Sequence, residues 1–160
     1  MIFVITGTEK FPFDRLIQEV DSLKSDNILK DDVYVQLGSC KYEPIHCAWD
    51  RYITFNEMRN NIQKAETVIA HAGAGTTLLC LELGKTPIIV TRLKKYGEHL
   101  DDHQVPFARM MQKLNYVIVA YEVGDLRDCI ENLNAYSSSV TQFTKDNTKL
   151  VNHLNSLIQA

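Results

Sequence analysis

The segment from Thr67 to Leu78 has the residue types and spacing most suggestive of chemistry in this chain. A β-branched apolar run ends at His71, a Gly-Ala-Gly turn follows, and helix-forming residues then resume. A strand, a glycine turn and a helix N-terminus present free backbone N–H groups that can hold a phosphate. Gly73 and Gly75 permit close approach because they lack a Cβ, and Thr76 adds a hydroxyl. The pattern predicts an anion site, although many strand-to-helix corners use glycine without any ligand.

A second group of chemically capable side chains follows the next apolar run. His99 and His103 have i, i+4 spacing with carboxylates between them, which superficially resembles a metal site. Because metal sites recruit further ligands in a defined geometry, we expect neither a metal ion nor a cofactor here. Arg92, Lys94 and Lys95 are interpreted as an exposed basic loop, with attraction of phosphate or of acidic groups on a partner as the alternative.

Size and composition exclude several classes of protein. The chain has 160 residues, 45% of them apolar and 23% charged, which fits one globular domain. Its formal net charge of −3 argues against nucleic-acid binding, which normally needs a basic surface. No apolar run approaches the roughly 18 to 20 residues of a membrane span, and the N-terminus resembles a strand more than a signal peptide. Four cysteines without a CxxC pair suit a reducing cytosol.

Strand and helix patterns alternate along the chain and must position these residues. The predicted strands are Ile2–Ile5, Asp32–Leu37, Thr67–Ala70, Pro87–Thr91 and Tyr116–Ala120, and Tyr42–Tyr52 is irregular with room for a short strand. The predicted helices are Phe13–Lys24, Asn56–Lys64, Thr76–Leu83, Asp102–Leu114, Asp125–Leu133 and Val140–Ile158. This alternation predicts one Rossmann-like α/β domain over residues 1–160, with a parallel sheet covered on both faces. Ligands of such sheets bind beyond the carboxyl ends of the strands.

Four sequence motifs, in this order, resemble a known family. They are Ile2–Thr8 with Phe11–Leu16, then Ala65–Gly75, then Leu83-Gly84-Lys85, and finally Gly97–Gln104. From residue 1 to about residue 130 the chain resembles the C-terminal domain of glycosyltransferase family 28. The likeness is greatest to its free-standing form, the nucleotide-sugar-binding subunit of two-component transferases. That form includes bacterial capsule and exopolysaccharide enzymes of the PssE type and the eukaryotic subunit that adds the second GlcNAc to dolichol.

The resemblance implies half of a GT-B fold, namely the C-terminal, donor-binding half. It implies inverting transfer from a UDP-sugar (galactose, glucuronic acid, glucose or GlcNAc) to a lipid-linked saccharide, without a metal. A separate membrane-associated subunit would bind the acceptor, supply the general base, and hold this chain at the cytoplasmic face of the membrane. The alternative is a non-catalytic scaffolding or enhancer subunit that keeps the fold and stabilises a partner transferase. NAD has no support, because the first glycine loop lacks GxGxxG.

The resemblance also assigns roles to individual positions. The diphosphate site would comprise Gly7, Thr8, His71, Gly73, Ala74, Gly75 and Thr76. The uridine site would comprise Thr54, Phe55, Asn56 and Glu82. The donor-sugar site would comprise Asp102, His103 and Gln104, with Gln104 the foremost candidate.

One position departs from the family pattern. Relatives usually carry a glutamate that binds the ribose hydroxyls six residues after the position of Gly73, and this chain has Leu79 there. Glu82 lies three residues further along, on the same helix face, and is the candidate substitute. The broad apolar stripe of the last predicted helix, residues 140–158, would pack on its own domain or on the partner.

Overall fold

A six-stranded, entirely parallel sheet organises the chain. A computed structural model describes residues 1–140. The strands are β1 (Ile2–Ile5), β2 (Val33–Gln36), β3 (Ala48–Asp50), β4 (Thr67–His71), β5 (Ile88–Val90) and β6 (Ile118–Ala120). Their order across the sheet is β3-β2-β1-β4-β5-β6, and every neighbouring pair runs parallel. Apart from the edge strand β3, the strands are almost entirely buried, as expected for a sheet covered on both faces.

Helices connect the strands and cover the sheet. They are α1 (Asp14–Ser25), α2 (Phe55–Lys64), α3 (Ala74–Glu82), α4 (Gln104–Lys113), α5 (Leu126–Glu131) and α6 (Leu133–Ser137). Single 3₁₀ turns lie at Lys94–Tyr96 and Val123–Asp125. Within residues 1–140, no helix has both the length and the apolar character that a membrane crossing would require.

The two faces of β1 show how the core is divided. Ile2 and Val4 belong to a cluster that also contains the apolar side of α1, while Phe3 and Ile5 pack on the opposite face with side chains of α2 and α3. A third cluster joins β5 and β6 to α4. Successive strand residues point to opposite faces, so each face needs its own helices. The prediction of a Rossmann-like α/β domain with a parallel sheet is confirmed.

Several element boundaries differ from the sequence prediction. A short edge strand, β3, occupies part of the segment predicted to be irregular. Helix α3 begins at Ala74, two residues earlier than predicted, because Gly73 is its N-cap residue. Helix α4 begins only at Gln104, because the preceding residues form a turn. The predicted helix at residues 140–158 lies outside the described residues, apart from Val140, which is in no element.

Candidate functional site

A cleft opens at the point where the strand order reverses. The chain leaves β1 toward β2 on one side, and β4 lies on the other, so the loops after β1 and β4 diverge at the carboxyl edge. The cleft has a volume of about 680 Å³. Eleven of the 14 predicted site residues line it: Gly7, Thr8, Phe55, His71, Gly73, Ala74, Gly75, Thr76, Glu82, His103 and Gln104. The other lining residues are Glu9, Met58, Leu78, Leu79 and His99.

The loop after β1 is held rigidly against the cleft. Gly7 has φ +84°, in the left-handed region that favours glycine. The buried side chain of Gln36 holds this residue from both sides: its Oε1 accepts the N–H of Gly7 at 2.9 Å, and its Nε2 donates to the Gly7 carbonyl at 3.0 Å. The backbone at Gly7 and Thr8 is therefore presented to the cleft in one fixed conformation.

His71 lies between the two glycine turns. A Cβ on Gly7 would come within 2.7 Å of the His71 ring, and a Cβ on Gly73 within 2.3 Å of its Nε2. Both glycines are thus required for the ring to fit. Burial, reinforced by the nearby positive charge of Arg92, lowers the pKa of His71 to about 4. The imidazole is accordingly neutral at pH 7 and offers an anion no full charge. Its Nδ1 lies 3.5 Å from the carbonyl of Ile5, which can only accept, so Nε2 can donate to an anion only in the tautomer that gives up this contact.

The N-terminus of α3 forms one wall of the cleft. Its N-cap is Gly73, which has no side chain to accept the first helical N–H groups. Ala74, Gly75 and Thr76 line the cleft, whereas Thr77 points inward and donates its hydroxyl to the Gly73 carbonyl at 2.9 Å. The partial positive charge of the helix end therefore meets the cleft without a side-chain cap. This arrangement suits a phosphate or diphosphate.

Arg92 follows β5 and is only 1% exposed, so the interpretation of this residue as part of an exposed basic loop is wrong. Its Nη2 donates to the carbonyl of Thr6 at 2.6 Å, and its Nη1 donates to the carbonyls of Phe11 at 2.8 Å and Glu98 at 3.2 Å. The guanidinium stacks over the Phe13 ring, 4.9 Å from the centroid. Arg92 therefore ties the loop after β1 to its own loop, the one after β5. Lys94 and Lys95, in contrast, are exposed as predicted.

The segment between Glu98 and Gln104 is anchored on its inner side. Glu98 is 3% exposed and forms a two-point ion pair with Arg15, at 2.6 and 2.9 Å. The Oε1 atom of Gln104 accepts the backbone N–H of Arg92 at 3.0 Å, which fixes the orientation of the carboxamide in the cleft wall.

Asp102, a predicted donor-sugar residue, does not line the cleft. Its Oδ1 accepts the backbone N–H of Lys94 at 2.7 Å, and it lines a separate hollow with Arg109 and Glu122. Of the three predicted sugar-binding residues, the structure brings His103 and Gln104 to the cleft and turns Asp102 away from it. The reason is the turn before α4, which the predicted helix start at Asp102 did not include.

Two of the predicted uridine residues are also outside the cleft. Thr54 is the N-cap of α2, and its N–H and hydroxyl both donate to the Glu57 carboxylate, at 2.7 and 2.8 Å. Its carbonyl accepts the N–H of Met58, so its polar groups are committed to the helix. Asn56 is exposed away from the cleft wall. Only Phe55 of this segment lines the cleft, and it is 65% exposed.

The far end of the cleft combines apolar surface with one carboxylate. Leu79 and Glu82 both line it, as their spacing on α3 requires. Glu82 is exposed, and its nearest cation is Arg59, at 4.0 Å. The carboxylate is therefore free to accept hydrogen bonds from a ligand. The structure is consistent with Glu82 as a substitute for a glutamate at position 79, and this role remains a prediction.

Sequence reasoning missed two features of this site. Met58 lines the cleft, and the capping box Thr54-x-x-Glu57 was the available signal, because it starts α2 one residue earlier than predicted. The role of Arg92 had no local signal. Two of the carbonyls that it binds belong to Phe11 and Thr6, which lie 81 and 86 positions earlier in the sequence, and the third belongs to Glu98.

Comparison with known proteins agrees with this geometry. A model of the glycosyltransferase family 28 C-terminal domain matches residues 1–159. The human UDP-N-acetylglucosamine transferase subunit ALG13 is 31% identical over 124 residues, covering 70% of this chain and 10% of the human protein. The Yarrowia lipolytica protein of the same name is 26% identical over 136 residues, covering 75% of this chain and 65% of that protein.

Solved structures give the same fold. CalG4, the calicheamicin glycosyltransferase, superposes with a TM-score of 0.58 at 15% identity, over 86% of this chain and 36% of that one. The structural match thus corresponds to about a third of a larger protein. Taken with the family match over nearly the whole sequence, the chain belongs to the glycosyltransferase family 28 C-terminal domain family.

Proposed function

We propose that this chain is the donor-binding, catalytic subunit of a two-component inverting glycosyltransferase. It would take a UDP-sugar as donor and transfer the sugar to a lipid-linked saccharide. The acceptor-binding half would be a separate, membrane-associated subunit that supplies the general base and holds this chain at the cytoplasmic face of the membrane. No metal ion or cofactor is needed for the transfer step in this proposal.

The observation that carries this proposal is the uncapped N-terminus of α3 facing the rigid loop at Gly7. In sugar transfer, negative charge develops on the departing diphosphate while the sugar becomes oxocarbenium-like. Preorganised N–H donors at a helix N-terminus stabilise such charge without having to reorient during the reaction. Gly75 leaves room for the phosphate oxygens to approach the backbone closely, whereas the missing Cβ of Gly73 makes room for the His71 ring.

The two ends of the cleft suggest how the rest of the donor lies. Phe55, Met58 and Glu82 would contact the uridine, whereas His103 and Gln104 would contact the sugar hydroxyls. Galactose, glucuronic acid, glucose and GlcNAc are all candidate sugars. UDP-N-acetylglucosamine is the first donor to test, because two relatives are named as subunits of a transferase for it. A pathway that builds capsular or exopolysaccharide is our proposal from the bacterial character of the motifs.

Calorimetric titration of the isolated chain with nucleotides tests the proposal. We expect UDP to bind more tightly than UMP by about tenfold or more, because UMP lacks the β-phosphate and one charge-assisted hydrogen bond is worth at least about 1.4 kcal/mol. NAD should not compete with UDP. Equal affinities for UDP and UMP, or tighter binding of NAD, would contradict a diphosphate site for a UDP-sugar.

A second candidate function rests on Leu79. If the ribose contact is lost, the chain is a non-catalytic subunit that stabilises a partner transferase. UDP binding by the Leu79→Glu and Glu82→Gln variants distinguishes the catalytic function from the scaffolding function. In the catalytic reading, the native chain binds UDP and Glu82→Gln weakens binding by about tenfold, the value of one lost charge-assisted hydrogen bond. Binding by Leu79→Glu alone, with none by the native chain, would support the scaffolding function.

A further inference from the structure

We propose that His99, Asp101 and His103 bind one divalent transition-metal ion, of the Zn²⁺ type, at the edge of the cleft. Each residue offers one ligand atom, and the three atoms lie within 4.8 Å of one another. The Nδ1 of His99 is 3.7 Å from Oδ1 of Asp101, and Nδ1 of His103 is in direct contact with the same oxygen. This site goes beyond the sugar transfer proposed above, which uses no metal, and it differs from the absence of metal expected from the sequence.

The arrangement is already organised around Asp101. The backbone N–H of His103 donates to Asp101 Oδ1 at 3.0 Å. The backbone and the ring of His103 therefore both hold Asp101 Oδ1 in place beside the His99 ring.

His99 supplies the second observation. Its Nδ1 is buried and makes no hydrogen bond within the described part of the chain, since the 3.7 Å to Asp101 exceeds hydrogen-bond distance. The ring is held in place by Phe11, with centroids 5.3 Å apart, and by the edge of the His103 ring, with centroids 4.4 Å apart. Leaving a buried polar nitrogen unsatisfied costs free energy. A metal ion would satisfy it.

The distances suit a small ion with nitrogen and oxygen ligands. Zinc binds both atom types at about 2.0 to 2.2 Å, which places tetrahedral ligand atoms about 3.4 Å apart. His99 and Asp101 are within a few tenths of an ångström of that separation. His103 must turn so that the ion replaces the hydrogen between its Nδ1 and Asp101, and its side chain is 56% exposed and has room to do so. Two imidazoles and one carboxylate favour Zn²⁺, Co²⁺ or Ni²⁺ over Mg²⁺.

Three protein ligands leave at least one coordination position for water or another ligand. Because His99 and His103 both line the cleft, that position lies at the cleft wall, beside the residues proposed to meet the donor sugar. A bound ion would therefore change the shape and charge of that end of the cleft.

Cobalt is the direct probe, because Co²⁺ gives visible absorption when a protein holds it in tetrahedral coordination. Titration of the untagged full chain with Co²⁺ is expected to produce such a band at one equivalent, displaced by Zn²⁺ and not by Mg²⁺. His103→Ala and Asp101→Asn should each weaken cobalt binding by about tenfold or more. Removing a residue that only hydrogen-bonds to a metal ligand already weakens metal binding by about tenfold, and removing a ligand itself should cost at least as much. Far-UV circular dichroism would verify that the variants are folded.

The matched control is His46→Ala. His46 is an exposed histidine 3.3 Å from the carboxylate of Asp21 on another part of the surface, and its removal should leave the cobalt band unchanged. Absence of a band at millimolar Co²⁺, or an equal band in His103→Ala and Asp101→Asn, would overturn the proposal. No nucleotide is used, so this result is independent of whether the chain binds UDP.

Discussion

His71 shows how one buried side chain links the cleft to the pH response of the fold. In the unfolded chain its pKa is about 6.5, and in the folded chain burial lowers the pKa to about 4. Between these two values the unfolded chain carries a proton that the folded chain excludes. The free energy of unfolding must therefore fall as the pH falls through this window.

We expect this effect to amount to about 3 kcal/mol between pH 6.5 and pH 4. Urea unfolding of the native chain and of His71→Asn, measured at several pH values, isolates it as the difference between the two pH profiles. The native chain should lose more stability than the variant on acidification. Parallel profiles would mean that His71 is not held neutral by the fold.

Arg92 is the second residue on which the cleft depends. Its guanidinium donates to three carbonyls, two in the loop after β1 and one in its own loop after β5, and a lysine ammonium cannot reach all of them from one point. We expect Arg92→Lys to lower the free energy of unfolding by about 2 to 4 kcal/mol, because hydrogen bonds from a charged donor are worth about 1.5 to 3 kcal/mol each.

The control for Arg92 is Lys94→Ala, which removes an exposed cation two residues away. Chemical unfolding should not distinguish Lys94→Ala from the native chain. If Arg92→Lys were equally harmless, the loops after β1 and β5 would be held together by other contacts.

At the scale of elements, the first turn of α3 offers a matched pair of glycines. An alanine at position 73 would place its Cβ 2.3 Å from the buried His71 ring, whereas one at position 75 meets nothing within 4 Å. We expect Gly73→Ala to destabilise the fold by about 1 to 3 kcal/mol through overpacking. Gly75→Ala should keep or raise stability, by up to about 1 kcal/mol, because alanine favours the helix.

The same pair of glycines distinguishes an effect on fold stability from an effect on UDP binding. The methyl group of Gly75→Ala would lie at the cleft wall where the diphosphate is proposed to approach. UDP affinity should therefore fall by about tenfold, the equivalent of about 1.4 kcal/mol, in a variant that is fully folded by thermal unfolding. Undiminished UDP binding by Gly75→Ala would mean that the ligand does not approach this turn.

Elements were more predictable from the sequence than the details of the site. The β-branched runs of β1 and β4 and the glycine turn after His71 placed both the sheet and the cleft correctly, because strand alternation and helix starts are local properties. The orientation of Asp102 was not predictable, since it depends on a turn in which the Asp102 carboxylate accepts the backbone N–H of Lys94. Arg92 depends on partners more than 80 residues away, and no local pattern encodes such contacts.

At the scale of the whole molecule, the sheet order fixes where a ligand can bind. The reversal between β1 and β4 brings the Gly7 loop and the α3 N-terminus to one cleft. We propose that the partner subunit forms the other wall and completes the catalytic machinery.

Amide NMR tests most directly whether a nucleoside diphosphate binds at the α3 N-terminus. Titration of ¹⁵N-labelled chain with UDP should shift the backbone amides of Gly7, Gly73, Gly75 and Thr76 most strongly. The amides of Gly97 and Gly124, which do not line the cleft, should be unaffected. Saturable shifts confined to other parts of the chain, or none at millimolar UDP, would contradict the account.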